Sequence, residues 1–177
     1  MEIRNAVRED SEFVGWTVLT ALDMDTSDLE AAKATCAEDY GIYSWKNAVI
    51  AVDNGKPIGC IVSYAGDNYK EMRDFTWPKM WKDLDWDAIQ QMTPETEPGE
   101  YYLDSLAILP EGRGKGLGKK LIEAAIKKGE AQGYRQFMLL VDINKPRLHN
   151  YYSQIGFEDC GKINFFDHLY DKMKQIK

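Results

Sequence analysis

The sequence predicts a single α/β domain, residues 1–177, whose mixed sheet is flanked by helices, and two features carry that prediction. An antiparallel hairpin is indicated from Asn47 to Val62, because Asn54-Gly55 separates two apolar runs. A strand, a loop, a helix and a further strand follow one another from Glu100 to Val141, which is the order that places two strands in parallel. A chain of this length is most simply one domain with a sizeable core.

Composition argues against several classes of function. The hydrophobic fraction of 44% and the charged fraction of 29% are ordinary for a globular protein. No apolar run approaches the length that crosses a bilayer, and the N-terminus carries no apolar signal segment, so we expect a cytoplasmic protein with no membrane partner. The net charge of −7 disfavours nucleic acid as a partner, because its phosphates are bound mostly by Lys and Arg. Three cysteines without metal-ligand spacing fit a reducing compartment.

The N-terminal elements follow from short-range signals. A first strand is predicted over 3–7, and Asp10 or Ser11 is expected to cap the helix that follows. Apolar residues recur at helical spacing over 13–22 and give that helix one buried stripe. A second helix is predicted over 27–39, because its first residues, Ser-Asp-Leu-Glu, have the capping-box pattern.

The C-terminal half of the chain alternates helices and strands. Apolar positions over 117–126 give one helix a buried face, and 137–141 is a continuous apolar run typical of a strand buried on both faces. The remaining predicted elements are a helix over 144–153, a short strand over 157–162 and a last strand over 165–173.

The connection formed by residues 66–100 is long for a link between strands, so it should carry its own structure or a function. We expect one or two short helices over 69–84, broken at Pro78. The segment is rich in aromatic residues, and six acids but no Lys or Arg lie between Asp83 and Glu100. The favoured interpretation is a helical lid that packs its tryptophans on the core and points its acids at water. The alternative is a pocket for a cationic amine, which aromatic faces and carboxylates both attract.

The main functional signal is a glycine-rich, basic loop between a strand that ends near Leu109 and a helix. Four glycines and three cations fall within eight positions: Gly112, Arg113, Gly114, Lys115, Gly116, Gly118 and Lys119. Glycine lets a backbone approach a ligand closely, and a helix start offers unpaired N–H groups with a partial positive charge. The loop therefore predicts an anion site, most naturally for a phosphate or pyrophosphate.

Two common nucleotide motifs fail on spacing in this loop. The phosphate-binding motif of nucleoside triphosphatases needs a glycine where Arg113 stands and a hydroxyl where Lys120 stands. The dinucleotide fingerprint fails at Leu117 or at Lys119, depending on which glycine begins it. Nucleotide hydrolysis is therefore disfavoured, and a different phosphate-bearing ligand is expected.

What remains is the pattern Arg-x-x-Gly-x-Gly, read at Arg113, Gly116 and Gly118. A second pattern follows it at Val141, Asp142, Asn144, Tyr152, Gly156 and Phe157. Together the two patterns resemble the signature of the GNAT superfamily of acyl-CoA-dependent N-acyltransferases. The detailed resemblance spans about 101–157, whereas the N-terminal elements fit the same fold only in their order.

The resemblance implies a mostly antiparallel sheet in which one parallel pair, 101–109 and 136–141, splays apart to hold acetyl-CoA as the acyl donor. Backbone groups of three strand residues would pair with the pantetheine arm: Leu106, Ala107 and Ile108. The N–H groups of seven loop residues would wrap the pyrophosphate: Arg113, Gly114, Lys115, Gly116, Leu117, Gly118 and Lys119. Asn144 would reach the donor from the end of the far strand, and direct transfer would need no metal.

The resemblance also implies two catalytic candidates. Tyr152 lies where the family often keeps a general acid, and Asp104 lies where it often keeps an acid or a water relay. Glu100 and Tyr102 are rivals on the same strand, and Tyr102 should face the same side as Asp104 because they are two residues apart. The alternatives are a strand-end carboxylate in a structural bond for Asp104 and a core aromatic residue for Tyr152. His149 is a further possible base, although a single helical histidine is more often a surface residue.

The function that follows is transfer of an acetyl group to a primary amine by direct attack on the thioester. A small molecule such as a polyamine, an amino acid or an amino sugar is the first expectation, because the acidic segment suits a cation. A protein N-terminus or lysine is the second. From a different class, the chain could be a non-catalytic acyl-CoA sensor. A homodimer is also possible, since proteins of this kind are often dimers.

Overall fold

The computed structural model describes residues 1–27, 29–165 and 168–176. Within these ranges, seven strands and six α-helices are found. In chain order they are β1 (Glu2–Asn5), α1 (Ser11–Ala21), α2 (Glu30–Cys36), β2 (Ala48–Asp53), β3 (Lys56–Ala65), α3 (Tyr69–Met80), α4 (Trp86–Gln91), β4 (Glu100–Ile108), α5 (Leu117–Ala131), β5 (Gln136–Asp142), α6 (Pro146–Gln154), β6 (Phe157–Phe165) and β7 (His168–Gln175).

All seven strands form one sheet in the order β1-β2-β3-β4-β5-β7-β6. Five of the neighbouring pairs are antiparallel, and β4 runs parallel to β5. The parallel pairing covers Glu100–Tyr102 opposite Gln136–Met138 and then stops in the described residues. The mixed, mostly antiparallel sheet with one splayed parallel pair is therefore confirmed.

A β-bulge lies on β4 just beyond the point where it leaves β5. Val62 of β3 pairs with Ser105, whereas the next residue, Ser63, pairs with Leu103. Asp104 is thus the extra residue on β4, with no direct partner on β3. A bulge bends its strand and redirects a side chain, and here it turns β4 at the mouth of the opening between β4 and β5.

Helices cover the sheet on both faces. On one face, α1 and α3 bury Val14, Val18 and Trp77 against the sheet. On the other face, α5 buries Leu121 and Ile122 against β2, β3 and β4. Each fully buried side chain of this size contributes about 1.5–3 kcal/mol of transfer free energy. Both faces of the central strands are therefore covered, which fixes the ends of β4 and β5 in place.

The N-terminal elements are found where they were expected, with two corrections. The first strand is shorter than 3–7, and the cap predicted for α1 is wrong. The Asp10 carboxylate instead accepts from the Val7 N–H at 2.8 Å and pairs with Arg4 at 2.7 Å. Ser11 donates back to the Arg8 carbonyl oxygen. Neither side chain is then left to cap α1.

The second helix is shorter than the predicted 27–39, because α2 covers Glu30–Cys36. The predicted capping box includes Asp28, which lies outside the described residues. The Ser27 hydroxyl donates to Asp25 at 2.7 Å, so it is engaged before the helix begins.

The hairpin is confirmed as β2 and β3. Asn54 and Gly55 between them have φ values of 49° and 76°. Left-handed conformations at both central residues define the turn type that matches the twist of paired strands. The Asn-Gly pair therefore fixes this connection locally.

The segment 66–100 follows the predicted lid in part. Its helix α3 continues through Pro78 to Met80, so the predicted break at this proline is wrong. A proline in the last turn removes one bond from a helix that is about to end, which limits its cost. The tryptophans pack on the core as expected. Four of the six acids face water, but Glu95 and Glu100 turn inward, which corrects the prediction for these two.

The C-terminal elements match the predicted order. Helix α6 begins at Pro146, and β6 extends three residues beyond the predicted end at 162. The predicted last strand, 165–173, crosses residues 166 and 167, which lie outside the described residues; its described part is β7. In the described ranges no helix has the length and apolar character that a membrane span requires.

Candidate active site

A cleft of about 200 Å³ opens where β4 and β5 separate. Four carboxylates line it, from Asp23, Glu95, Asp104 and Asp142, and they outnumber the one cation among its described lining residues, Lys145. Lys145 is itself paired with Asp23 at 2.5 Å. The cleft is therefore an anionic environment that attracts a cationic ligand.

Asp104 lies on the wall of this cleft, as its position at the bulge of β4 dictates. Its Oδ2 accepts from the Tyr64 hydroxyl at 2.5 Å, and its Oδ1 accepts from the Ser105 hydroxyl at 2.6 Å. Burial raises the pKa of Asp104, although the two hydroxyl donors favour its ionised form. Tyr102 lines the same cleft, as its spacing from Asp104 predicts.

Glu95 is the functional candidate that sequence reasoning missed. Its Oε2 accepts from the Tyr69 hydroxyl at 2.6 Å, and its Oε1 accepts from the Tyr102 hydroxyl at 3.1 Å. Burial first, and then the neighbouring charge of Asp104, raise the pKa of Glu95 to about 8. No local signal separates Glu95 from the exposed Glu97. The folding of the 66–100 segment back onto β4 brings Glu95 into the cleft.

Glu100, a rival base in the sequence, anchors this segment instead. Its carboxylate pairs with Lys172 of β7 at 2.8 Å, and both side chains are almost buried. It also accepts from the Thr96 hydroxyl at 3.1 Å and the Glu97 N–H at 3.0 Å. These bonds fix the position of Thr96, which is adjacent to Glu95. Glu100 therefore supports the side of the cleft that carries Glu95, although it does not line the cleft itself.

The other end of the segment is fastened by close backbone contact at Gly66. A Cβ at this position would lie 2.2 Å from the Glu97 carbonyl oxygen and 2.6 Å from the Thr96 hydroxyl. No real side chain tolerates the first distance, so the loop carrying Glu95 packs against β3 only because residue 66 is glycine.

Tyr152 lies on α6 and lines the same cleft as the two carboxylates. Its ring packs edge-on to Phe157, with centroids 5.9 Å apart, and contacts Tyr151 at 5.5 Å. Burial raises the pKa of the Tyr152 hydroxyl, so this group keeps its proton at neutral pH. A neutral phenol facing an anionic cleft can serve as a proton donor.

The glycine-rich loop borders a second cavity, of about 360 Å³. Gly114 and Gly116 have φ values of 73° and 69°, which side-chain-bearing residues seldom adopt, and Gly116 immediately precedes α5. Seven of the predicted donor-binding residues line this cavity: Leu106, Ile108, Arg113, Gly114, Gly116, Leu117 and Gly118. The loop thus presents the start of a long helix to an open cavity, which suits an anion.

The remaining predicted donor residues lie elsewhere around the loop. Ala107 is buried, and Lys115 donates to the Glu111 carbonyl oxygen at 3.0 Å. Lys119 lies 3.9 Å from Glu123 on α5. The side chains of these three residues do not line the cavity, so their predicted contribution is left to backbone groups.

Asn144 is not brought to either cavity as a lining residue. Its backbone N–H and its side-chain amide both donate to Asp142 Oδ1, at 2.8 Å and 3.0 Å. This turn closes the end of β5 and leads the chain into α6, which carries Tyr152. The predicted contact of Asn144 with the donor stays a prediction.

His149, a further possible base, lies outside the cleft. Its Nε2 is 2.8 Å from Asp159 Oδ1 and 3.9 Å from Asp171 Oδ2. These three residues are close enough to share a metal ion. Asp171, however, already pairs with the Lys162 ammonium group, so one of the three ligands is engaged.

The sheet with its splayed pair, the glycine loop and the acidic cleft together define an acyltransferase of the GNAT class. A model of the Acetyltransferase (GNAT) family matches residues 16–157. This match covers most of the chain, so the protein belongs to the GNAT acetyltransferase family. The resemblance inferred from the two sequence motifs is confirmed, and membership makes the chain an acyl-CoA-dependent N-acetyltransferase.

Solved structures with the same fold cover the whole chain. An N-acetyltransferase from Staphylococcus aureus Mu50 matches with a TM-score of 0.79 and 23% identity, over 98% of this chain and 100% of that one. A structure described as an acetyltransferase matches with a TM-score of 0.80 and 24% identity, over 99% and 98%. A NatC complex bound to Gag peptide and CoA matches with a TM-score of 0.59 and 21% identity, over 100% of each chain. No curated protein matches the chain. At these identities the likeness concerns the fold.

Proposed function

We propose that this enzyme transfers the acetyl group of acetyl-CoA to a primary amine of a small molecule. The observation that supports this most directly is the position of Leu106. This residue lines both the cavity at the glycine loop and the acidic cleft. An extended donor can therefore run along β4, with its pyrophosphate at the loop and its thioester at the cleft.

The donor half of the proposal rests on the part of β4 that does not pair with β5. Pairing between β4 and β5 stops after Tyr102, so the edge of β4 from 104 to 108 is open toward β5. Leu106, Ala107 and Ile108 would pair there with the amides of the pantetheine arm, as an added strand would. The N–H groups of 113–119 would hold the pyrophosphate, assisted by the positive end of α5.

The chemistry follows from the side chains of the cleft. A carboxylate takes one proton from the bound ammonium, and the free amine attacks the thioester carbon. The C–N bond forms, and a backbone N–H of β4 would stabilise the developing oxyanion. The C–S bond then breaks, and Tyr152 protonates the leaving thiolate. After attack the nitrogen is positively charged and carries one proton more than a neutral amide, and it returns this proton to the phenolate. The proton taken first by the carboxylate is therefore the one released per acetyl group transferred.

The acceptor half of the proposal rests on the size and charge of the cleft. A cavity of about 200 Å³ with four carboxylates favours a compact, cationic amine over a folded protein surface. Polyamines, amino acids and amino sugars fit this description. A protein N-terminus or lysine is the second candidate class.

A thiol-release screen tests the proposal. Purified enzyme with acetyl-CoA would be offered polyamines, amino acids, aminoglycosides and short peptides at equal concentration. We expect CoA to appear with one of the small amines and not with the peptides. Release with peptides alone would transfer the proposal to the second class, and the absence of acetyl-CoA binding by calorimetry would reject the donor.

A further inference from the structure

We propose that Glu95 is the general base that deprotonates the acceptor amine. It comes from the segment between α4 and β4, outside the two motifs that carry the family resemblance. This assignment rests on the proposed function, because it presupposes that an amine binds in the cleft and attacks acetyl-CoA there. It predicts that a residue of the lid-like segment touches the reacting nitrogen.

Hydrogen bonds fix the position of the Glu95 carboxylate, and the residue still lines the cleft, where it can accept a proton. One phenol holds each oxygen: Tyr69 on α3 binds Oε2, and Tyr102 on β4 binds Oε1. Both tyrosines are almost fully buried and cannot turn away, whereas Glu95 keeps part of its surface exposed to the cleft. A carboxylate accepts about four hydrogen bonds, so lone pairs remain for an incoming ammonium.

Asp104 lies close enough to Glu95 for its negative charge to raise the pKa of Glu95. Both of its oxygens are held by short bonds, to Tyr64 at 2.5 Å and to Ser105 at 2.6 Å. These donors favour the ionised form of Asp104, and its negative charge in turn favours a proton on Glu95. Two nearby carboxylates resist ionising together, so the pair retains one proton more readily than either would alone. Asp104 is therefore a positioning residue in this assignment.

The groups that surround Glu95 act in opposite directions. Burial first, and then the charge of Asp104, raise the pKa of Glu95. The hydroxyls of Tyr69 and Tyr102 lower it, and so does Arg73, which is buried on α3. The charge of Glu95 also raises the pKa of Tyr43 before β2, Tyr64 on β3 and Tyr170 on β7, although burial is the larger cause in each. The resulting pKa of Glu95 is about 8. A base of this strength takes a proton from an ammonium more readily than an ordinary carboxylate does.

The proton balance of this step is simple. The Glu95 carboxylate accepts one proton from the ammonium and becomes a neutral acid, and the amine gains the lone pair that attacks the thioester. After the product leaves, Glu95 returns this proton to water. Tyr152 donates to the thiolate and is restored by the amide nitrogen, so the two residues do not exchange roles.

The pH dependence of Glu95→Gln tests the assignment. The acceptor would be one found in the thiol-release screen that keeps its ammonium form over the pH range tested, so that each turnover needs a base. We expect kcat/KM of the wild type to rise with pH up to about 8 and then level off. In Glu95→Gln we expect a loss of about 100-fold or more and no such rise.

The matched control is Glu97→Gln, an exposed carboxylate two residues away in the same loop. It should keep both the rate and the pH profile. Acetyl-CoA affinity, measured by calorimetry, should be the same in both variants and the wild type. An active wild type with an unchanged profile in Glu95→Gln overturns the assignment, whereas an inactive wild type with every amine rejects the proposed function instead.

If Glu95→Gln does not fold, the pH profile of Tyr69→Phe tests the same assignment. Removing the Tyr69 hydroxyl takes away a bond that favours the ionised form of Glu95, so the rise in kcat/KM should move to higher pH. A purely structural role for Glu95 would lower the rate without moving this rise. A profile that stays in place in Tyr69→Phe counts against the assignment.

Discussion

At the scale of single residues, Tyr152 is the proposed proton donor, and its removal should lower the rate of the chemical step without weakening acetyl-CoA binding. Tyr152 lines the cleft, and burial raises the pKa of its hydroxyl so that it stays protonated. We expect Tyr152→Phe to lower kcat by about 100-fold, because the thiolate would then leave without a proton. The affinity for acetyl-CoA, measured by calorimetry, should change little.

The control for this prediction is Tyr151→Phe. Tyr151 is the adjacent residue, but its hydroxyl lies at the start of α5, where a Cβ on Gly118 would be 2.8 Å away. It borders the cavity of the glycine loop rather than the acidic cleft. Tyr151→Phe should therefore keep its kcat. Equal losses in both variants would remove Tyr152 from the mechanism.

At the scale of elements, the ion pair between Glu100 and Lys172 fastens the 66–100 segment to β7. The two side chains are 12% and 13% exposed. We expect Lys172→Met to lower the free energy of unfolding by about 3 kcal/mol, because it leaves a nearly buried carboxylate without its cation. Acetyl transfer should fall as well, since Glu95 is carried by the loop that Glu100 holds. Denaturant unfolding measures the first effect.

Lys174→Met is the matched control, two residues along the same strand. Lys174 pairs with Glu158 at 3.2 Å, but both side chains are about half exposed. An exposed pair contributes about 0–1 kcal/mol, so this variant should unfold almost like the wild type. If Lys172→Met and Lys174→Met lower the free energy of unfolding by the same amount, the ion pair with Glu100 does not stabilise the 66–100 segment.

The elements also separate what the sequence can predict from what it cannot. The hairpin, α1 and α5 are confirmed because turn chemistry and apolar periodicity are local and act within a few residues. The glycine-rich loop before α5 was predictable for the same reason, since its glycines and cations lie within eight positions. Local rules failed at Pro78, which lies in the last turn of α3 and so costs the helix little, and at Asp10, whose partners lie before the helix rather than within it.

The acidic cleft could be predicted only in part. Asp104 was a candidate because it lies where the resembled family often keeps an acid, but the bulge that leaves it without a partner on β3 depends on the register of the two strands. Glu95 was expected to face water with its neighbours, because a run of acids usually does. Its two phenol partners, Tyr69 and Tyr102, come from elements on either side of it in the chain. Nothing in the run itself marks Glu95 as an acid that turns into the cleft.

At the scale of the whole molecule, the raised pKa of Glu95 should make stability depend on pH. The folded pKa of about 8 lies above the ordinary value of about 4.3 expected in the unfolded chain. Between these values the folded state binds more protons, so the free energy of unfolding falls as pH rises. We expect Tm, measured by calorimetry, to decline from about pH 5 to about pH 8 through this group.

Glu95→Gln should flatten this decline, because glutamine does not titrate. Glu97→Gln, whose side chain is exposed, should keep it. A decline of the same steepness in Glu95→Gln would assign the pH dependence to another group and would contradict the raised pKa of Glu95.

The two fastenings of the 66–100 segment have a consequence for how this enzyme can change. One is the close approach at Gly66, and the other is the ion pair of Glu100 with Lys172. The stretch between them supplies Glu95 and Tyr69, whereas the glycine loop and α5 lie beyond it in the chain. Under the proposed mechanism, grafting a different stretch between the same two anchor points should change which amines the enzyme accepts, while acetyl-CoA binding should stay the same.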